Sequence, residues 1–277
     1  CDNLPSNGKV LRGLLIEFAK LRDAELADWI EDRVTCPSSM VDRIVPATTE
    51  TDRKNVQKQL GLKDQGVVVT EGFSQWVLED NFCAGRPAWE EVGVTMVDDV
   101  TPFEHMKLRM LNGTHSTLAY LGFIAGHEFV ADAANDSDFQ QLLLEMWQDE
   151  IIPTLSLPVG IDLQAYAHDL MARYQNPELH HRLYQIAMDG SQKLPQRLLG
   201  TLRDHLAVNR LPKRILLAIA GWMRYVTGIQ ENGNGFEVQD PLTPQLQQLA
   251  QESGFLNGQL NSEKTSEYVN QLLQICL

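Results

Sequence analysis

The 277-residue sequence contains no uninterrupted apolar run near the roughly 18 residues that a transmembrane helix needs, so no span is expected. It opens on Cys1 and shows no basic-then-apolar leader, which leaves no signal peptide to read. A chain that starts Cys1-Asp2-Asn3-Leu4-Pro5 reads as a fragment or a processed product. Positive charge is scarce: 23 Lys and Arg face 37 Asp and Glu, for a formal net charge of −14. Such a surface repels nucleic-acid phosphates and anionic lipids, so neither nucleic acid nor membrane is expected as a partner. A small anionic substrate stays allowed, because a local cationic pocket overrides the mean. Cys1, Cys36, Cys83 and Cys276 lie far apart without a C-x-x-C, and read as free thiols in a reducing cytoplasm. No metal site is expected: His127-Glu128 begins an H-E-x-x-H, but position 131 is Ala131. His180 and His181 are adjacent, which on a helix points them to different sides. No strand leads into a G-x-G-x-x-G; Gly233-x-Gly235 sits in a turn without a third glycine or a following helix, so a dinucleotide fingerprint is missing.

What is present divides near Asp98-Asp99. Before it, spacing predicts helix over 8–33 with a restart at Asp23, and a loop over Cys36–Ser39. A strand is predicted at Asp42–Pro46, a helix over Asp52–Leu60 stopped by Gly61, and strands in Gly66–Thr70, Gly72–Glu79 and Trp89–Val97. Beyond it the periodicity is helical. Thr101-Pro102-Phe103-Glu104 has the form of a helix start, with Thr at the cap, Pro next and Glu three residues on. That helix is predicted to run to about Ala125; others are predicted at 136–150, 163–174, 177–188, 194–206, 211–227, 243–252 and 262–276. The fold class expected is mainly α, with mixed α/β structure to residue 97 and an all-helical domain over 98–277.

One helix carries a concentration of chemistry. With Lys107 set at 0° on a helical wheel, Glu104 falls at about 60°, His115 at about 80° and Asn112 at about 140°. Leu108 and Leu111 share the arc. One reading is a boundary face, with Lys107 snorkelling and His115 a satisfied core histidine. The other is a reacting site. A lysine beside apolar groups is desolvated, which brings its neutral amine within reach and lets it exchange protons with an alcohol. Amide side chains can hold the resulting oxyanion. Mid-helix Gly113 would let a chain segment or a ligand approach closely.

Lys107-Leu-Arg-Met-Leu-Asn112-Gly113-Thr-His115 resembles the K-x-x-x-x-N-x-x-H signature of the mannitol dehydrogenase family, the polyol-specific long-chain dehydrogenases. Cys1-Asp2-Asn3, with Asn7-Gly8, Met40–Ile44, Gln75–Val77, Gly85-Arg86-Pro87 and Asp189-Gly190-Ser191-x-Lys193 follow in the family's order. The resemblance implies a metal-independent, NAD-dependent alcohol/ketone oxidoreductase. It implies Lys107 as general acid/base, Asn3 and Asn112 as oxyanion amides, and His115 as the residue that orients the reacting oxygen. It further implies Glu104 as a proton relay, Asp42 near the nicotinamide and Lys193 as a substrate-binding cation.

The segments 185–197 and 221–225 look most like fructuronate reductases (D-mannonate oxidoreductases) within that family. Gln185 stands where mannitol dehydrogenases tend to carry arginine, and Lys193 with Arg197 could pair with a substrate carboxylate; Arg197 reads equally as a solvated helix residue. Through the resemblance, residues 1–97 read as the C-terminal remnant of a Rossmann-type domain that is otherwise absent, NAD being held mainly by the missing part. Residues 98–277 read as the substrate domain. D-fructuronate and D-mannonate are the expected pair, with mannitol, tagaturonate or another polyol or hexonate as the enzyme alternative. An inactive helical scaffold or dimerisation domain is the non-enzyme alternative. Cytoplasmic location is expected, and oligomeric state is left open.

Overall fold

A computed structural model describes residues 4–156, 161–230, 232–253, 266 and 268–271. The chain divides into two compact units, residues 1–107 with 156–159, and residues 108–155 with 160–277.

Unit one begins with a helical hairpin, α1 (Asn7–Lys20) and α2 (Ala24–Arg33). Asp23 starts α2 as its sequence suggests, its carboxylate accepting from the Glu25 and Leu26 amides. Ile16, Ala19 and Ala27 form the small core between the helices. Gly8 is required near the start of α1, because a Cβ there would lie 2.2 Å from the Cys36 carbonyl oxygen. The sheet holds β1 (Ser39–Asp42), β2 (Gln75–Glu79) and β3 (Thr95–Val97) in that order. β1 and β2 are antiparallel with Met40 opposite Val77, and β2 and β3 are parallel.

β1 ends at Asp42, where the sequence pattern would start it. The strand is set by its ladder to β2, and its entry is fixed by the Asn7 side chain holding Ser39 and the Glu79 carboxylate accepting from the Ser38 amide. The valine run Gly66–Thr70 forms no strand, since β propensity without a pairing neighbour does not suffice. Helix α3 (Glu50–Leu60) has a full capping box of Thr49 and Asp52 and ends at Gly61 in the left-handed region. Unit one closes with α4 (Thr101–Met106). The expected capping box at Thr101 is not formed. Asp99 accepts from the Thr101 amide instead, and the Glu104 carboxylate turns to the Ser6 amide.

Unit two is helical. A π-helical turn over Lys107–Gly113 continues the α4 run into α5 (Thr114–Ile124). Then come α6 (Val130–Asn135), α7 (Ser137–Glu145), α8 (Leu163–Tyr174), α9 (Leu183–Ile186), α10 (Gly190–Leu194), α11 (Gly200–Ala207), α12 (Lys213–Tyr225) and α13 (Thr243–Glu252). The helix expected over 262–276 lies mostly outside the described residues. Helix α5 is buried on nearly all sides, packed between α9 and α12. Two further π turns, Met146–Ile151 and Pro195–Leu199, interrupt the long helical runs. The second follows from Pro195, which cannot donate to the ladder; the Gly200 amide reaches the Pro195 carbonyl five residues back. Among the described residues no helix is long and apolar enough to cross a membrane.

Candidate active site

In unit one, Asp42 and Lys107 line the same cleft of about 610 Å³, with Arg43, Gln75 and Trp76. Asp42 is buried at the end of β1, opposite Gln75 on β2. Lys107 is buried where α4 ends and the π turn begins. Among the described residues, the indole Nε1 of Trp76 and the amide Oε1 of Gln75 are buried without hydrogen-bond partners. One is a donor and the other an acceptor, and leaving either unpaired costs free energy. Glu104, buried in α4, accepts from the Ser6 amide at 3.0 and 3.3 Å. Burial pushes its carboxyl above the ordinary range, against the Ser6 hydrogen bond.

In unit two, the π turn changes the phase that an ideal wheel assigns to Asn112 and His115. A wider turn advances fewer degrees per residue, and its carbonyls need other donors. The Tyr174 hydroxyl donates to the Leu111 carbonyl at 2.7 Å, and Trp147 Nε1 donates to the Met110 carbonyl at 3.0 Å. Gly113 is where the run meets the Pro195–Leu199 turn: a Cβ there would lie 2.8 Å from the Arg197 carbonyl oxygen. The close approach expected at this glycine is made by a chain segment.

Asn112 and His115 are both 6% exposed, and among the described residues Asn112 Nδ2 and His115 Nε2 have no partner. The His115 ring stacks on Tyr174 with centroids 5.0 Å apart and lies nearly perpendicular to the His181 ring with centroids 5.1 Å apart. Burial drives the His115 pKa well below its ordinary value, and neighbouring His181, Arg197, Arg173 and Lys193 add to the effect. His181 is pushed down to about 4, by burial first and then by Lys193. Both rings are therefore neutral at pH 7.

Lys193 and Arg197 stand one helical turn apart. Lys193 Nζ donates to the Met188 carbonyl at 2.5 Å and lies 3.9 Å from the Asp189 carboxylate. Arg197 donates to the Ser116 hydroxyl at 3.1 Å, and among the described residues no carboxylate is paired with it. Burial lowers both pKa values, and Arg197 lowers that of Lys193 further. Arg197 is thus half-buried, not a solvated helix residue. Gln185 is half-buried on α9. Asn3 lies outside the described residues.

His181 escaped the sequence reading, which placed it on a helix over 177–188. That stretch is a tight turn at Pro177–Leu179, a left-handed His180 and a β-bridge at Arg182, followed by the short α9. The usable signal was the proline before the histidine pair. Among the described residues, no three of His, Cys, Asp and Glu gather to hold a metal.

Two family models match the chain, the mannitol dehydrogenase C-terminal domain over residues 99–270 and the mannitol dehydrogenase Rossmann domain over residues 1–91. An uncharacterized oxidoreductase of Escherichia coli, YdfI, is 51% identical over 91% of this chain and 52% of its own length. The D-mannonate oxidoreductase of the same organism is 49% identical over 90% of this chain and 51% of its own. The solved ternary complex of Pseudomonas fluorescens mannitol 2-dehydrogenase with NAD and D-mannitol aligns with a TM-score of 0.84 at 38% identity. That alignment covers 100% of this chain and 58% of that one. The chain spans about half the length of the curated relatives it matches.

These matches correct the fold class expected from the sequence. A mainly α C-terminal portion with only a Rossmann remnant before it does not describe a chain whose residues 1–91 match the Rossmann-domain model. The glycine fingerprint marks one strand–turn–helix of a nucleotide-binding domain. Its lack reports on that turn alone, whereas the match covers the α1–α2 helix pair and the strands β1 and β2, with Asp42 at the end of β1. Both domain types are represented, and the chain belongs to the mannitol dehydrogenase family.

Proposed function

We propose that the protein is an NAD-dependent oxidoreductase that interconverts D-fructuronate and D-mannonate, with Lys107 as general acid/base. The observation that carries the sugar-acid reading is the cation pair Lys193 and Arg197, half-buried beside a neutral His115 in a protein of net charge −14. Arg197, partly buried and among the described residues paired with no carboxylate, favours a ligand that brings one. The relatives named above include an enzyme of D-mannonate and one of mannitol, and the resemblance by which Gln185 stands where mannitol dehydrogenases tend to carry arginine favours the former.

The cleft in unit one suits the cofactor. Its volume of about 610 Å³ lies within the range of small-molecule sites, and Asp42, Gln75, Trp76 and Lys107 line it. NAD, when bound, takes or supplies the hydride at the alcohol or ketone carbon. Asp42, Gln75 and Trp76 would hold its nicotinamide end. Lys107 gives a proton to the oxygen during ketone reduction and takes it during alcohol oxidation. Asn112, whose amide N–H is unpaired among the described residues, is assigned to hold that oxygen, the role the family resemblance also gives Asn3. His115, neutral, holds the oxygen's orientation through Nε2. Glu104, with its raised pKa, holds the proton in relay to Lys107.

Initial rates with D-mannonate and with D-mannitol, each with NAD, test the reading. D-mannonate should give the higher kcat/KM by roughly 100-fold, the upper end of what leaving one buried polar group unsatisfied costs. Faster turnover of mannitol would refute the sugar-acid assignment.

A further inference from the structure

We propose that His181 is a positioning residue for His115, restricting its imidazole within the stack on Tyr174 by a near-perpendicular ring contact so that Nε2 keeps its aim. The inference rests on the reading of His115 as the residue that orients the reacting oxygen.

An imidazole has a broad torsional preference about its second side-chain bond, so rotamer wells alone do not hold its plane. Nor does a hydrogen bond at Nε2, which has no partner among the described residues. Two rings do. Tyr174 lies against the His115 face with 20° between planes, and its own hydroxyl is tied to the Leu111 carbonyl and to Thr114 at 2.9 Å. A stacked neighbour still allows the ring to slide and turn within its plane. His181 stands at 82° to it with centroids 5.1 Å apart, and a ring so placed restricts that movement.

The backbone is arranged to hold His181 there. His180 adopts the left-handed conformation, φ 44°, unusual for a residue other than glycine, and sits exposed while the next residue turns inward. Such strain persists only where the surroundings over-determine it. Here the His181 carbonyl accepts from the Val130 amide at 2.9 Å, Arg182 is bridged to Phe129, and the Leu183 amide donates to the Glu128 carbonyl at 3.0 Å. A neutral His181 also adds no charge next to Lys193, Arg197 and Arg173, the cations around His115.

Histidine-selective NMR of the protein, joined to steady-state kinetics, tests this. In His181→Ala the His115 imidazole resonances should shift, and its protonation midpoint should rise toward the ordinary histidine range. The kcat on D-mannonate should fall, by up to about 100-fold for a misplaced group, while KM changes far less. His181→Phe keeps a flat edge and should restore both the resonances and most of kcat. Should the alanine variant not fold, His181→Leu, which fills space without a flat edge, carries the same expectations. Unmoved His115 resonances in a folded Ala or Leu variant, or a Phe variant as impaired as Ala, overturn the inference. If the resonances move as expected while the wild type fails to turn over D-mannonate, the positioning stands and the sugar-acid reading falls.

Discussion

Helix α1 in unit one and helix α5 in unit two treat their side chains in opposite ways. Along α1, Leu14 and Phe18 remain 59% and 70% exposed, and Leu21 just beyond it 86%. Along α5, Thr114, His115, Ser116 and Thr117 are buried together with Leu118. The apolar spacing of α1 identifies a helix correctly and says little about what covers it. The mixed pattern of α5 looks like a boundary face and turns out to lie in a core. What decides between them is the hydrogen-bond account. In α5 the Thr114 and Thr117 hydroxyls return to the Met110 and Gly113 carbonyls, and Arg197 takes the Ser116 hydroxyl. Two groups on the run are left over, Asn112 Nδ2 and His115 Nε2, and these carry the proposed chemistry.

The sharpest test of that contrast is the cation pair. Arg197→Met should raise KM for D-mannonate by about 10- to 100-fold, the worth of a charge-assisted hydrogen bond, and leave KM for D-mannitol nearly unchanged. Equal effects on both substrates would return Arg197 to a packing role.

Next is pH. A histidine whose folded pKa is depressed leaves the unfolded chain binding more protons between the two values. The stability tied to a neutral His181 is therefore complete above about 6.5, lost as pH falls, and fully lost below about 4. For a shift of that size the loss is roughly 3 kcal/mol. His115 acts in the same direction, and Glu104, with its raised pKa, in the opposite one. Urea denaturation from pH 7 to pH 4 should thus show a shallower slope for His181→Phe than for the wild type. Parallel slopes would mean that His181 titrates normally.

Gly113→Ala forces a Cβ against the Arg197 carbonyl in unit two and should cost about 1–3 kcal/mol, the range for overpacking. Asp23→Ala removes the cap of α2 in unit one and should cost about 1 kcal/mol. Thermal melts order the two. A larger loss at Asp23 would show that the α1–α2 hairpin, for all its exposed leucines, governs stability more than the packed π turn.

Much of the local structure was legible because its signals are local. Asp23 at the start of α2, the Thr49–Asp52 box and Gly61 at the end of α3 each act within a few residues. The sheet was less so. The valines at 67–69 have the composition of a strand, but their neighbours in space do not pair with them, and Ser39–Met40 form one because β2 does. The π turn at Lys107–Gly113 has no local signature, since it depends on Tyr174 and Trp147 donating from elsewhere in the chain. The lysine, asparagine and histidine of the signature could therefore be found by spacing, while their true phase could not. His181 was invisible for a related reason: a left-handed His180 is held by residues 128–130, some fifty positions away.

The central claim is that Lys107 exchanges the proton in an alcohol/ketone reaction. Single-turnover oxidation of D-mannonate by Lys107→Ala, with circular dichroism as the check on folding, tests it most directly. The rate should fall by about 10²- to 10⁴-fold, the range for losing a general acid/base, with the spectrum unchanged. Near-normal turnover in the folded variant would contradict the claim and remove Lys107 from the chemistry.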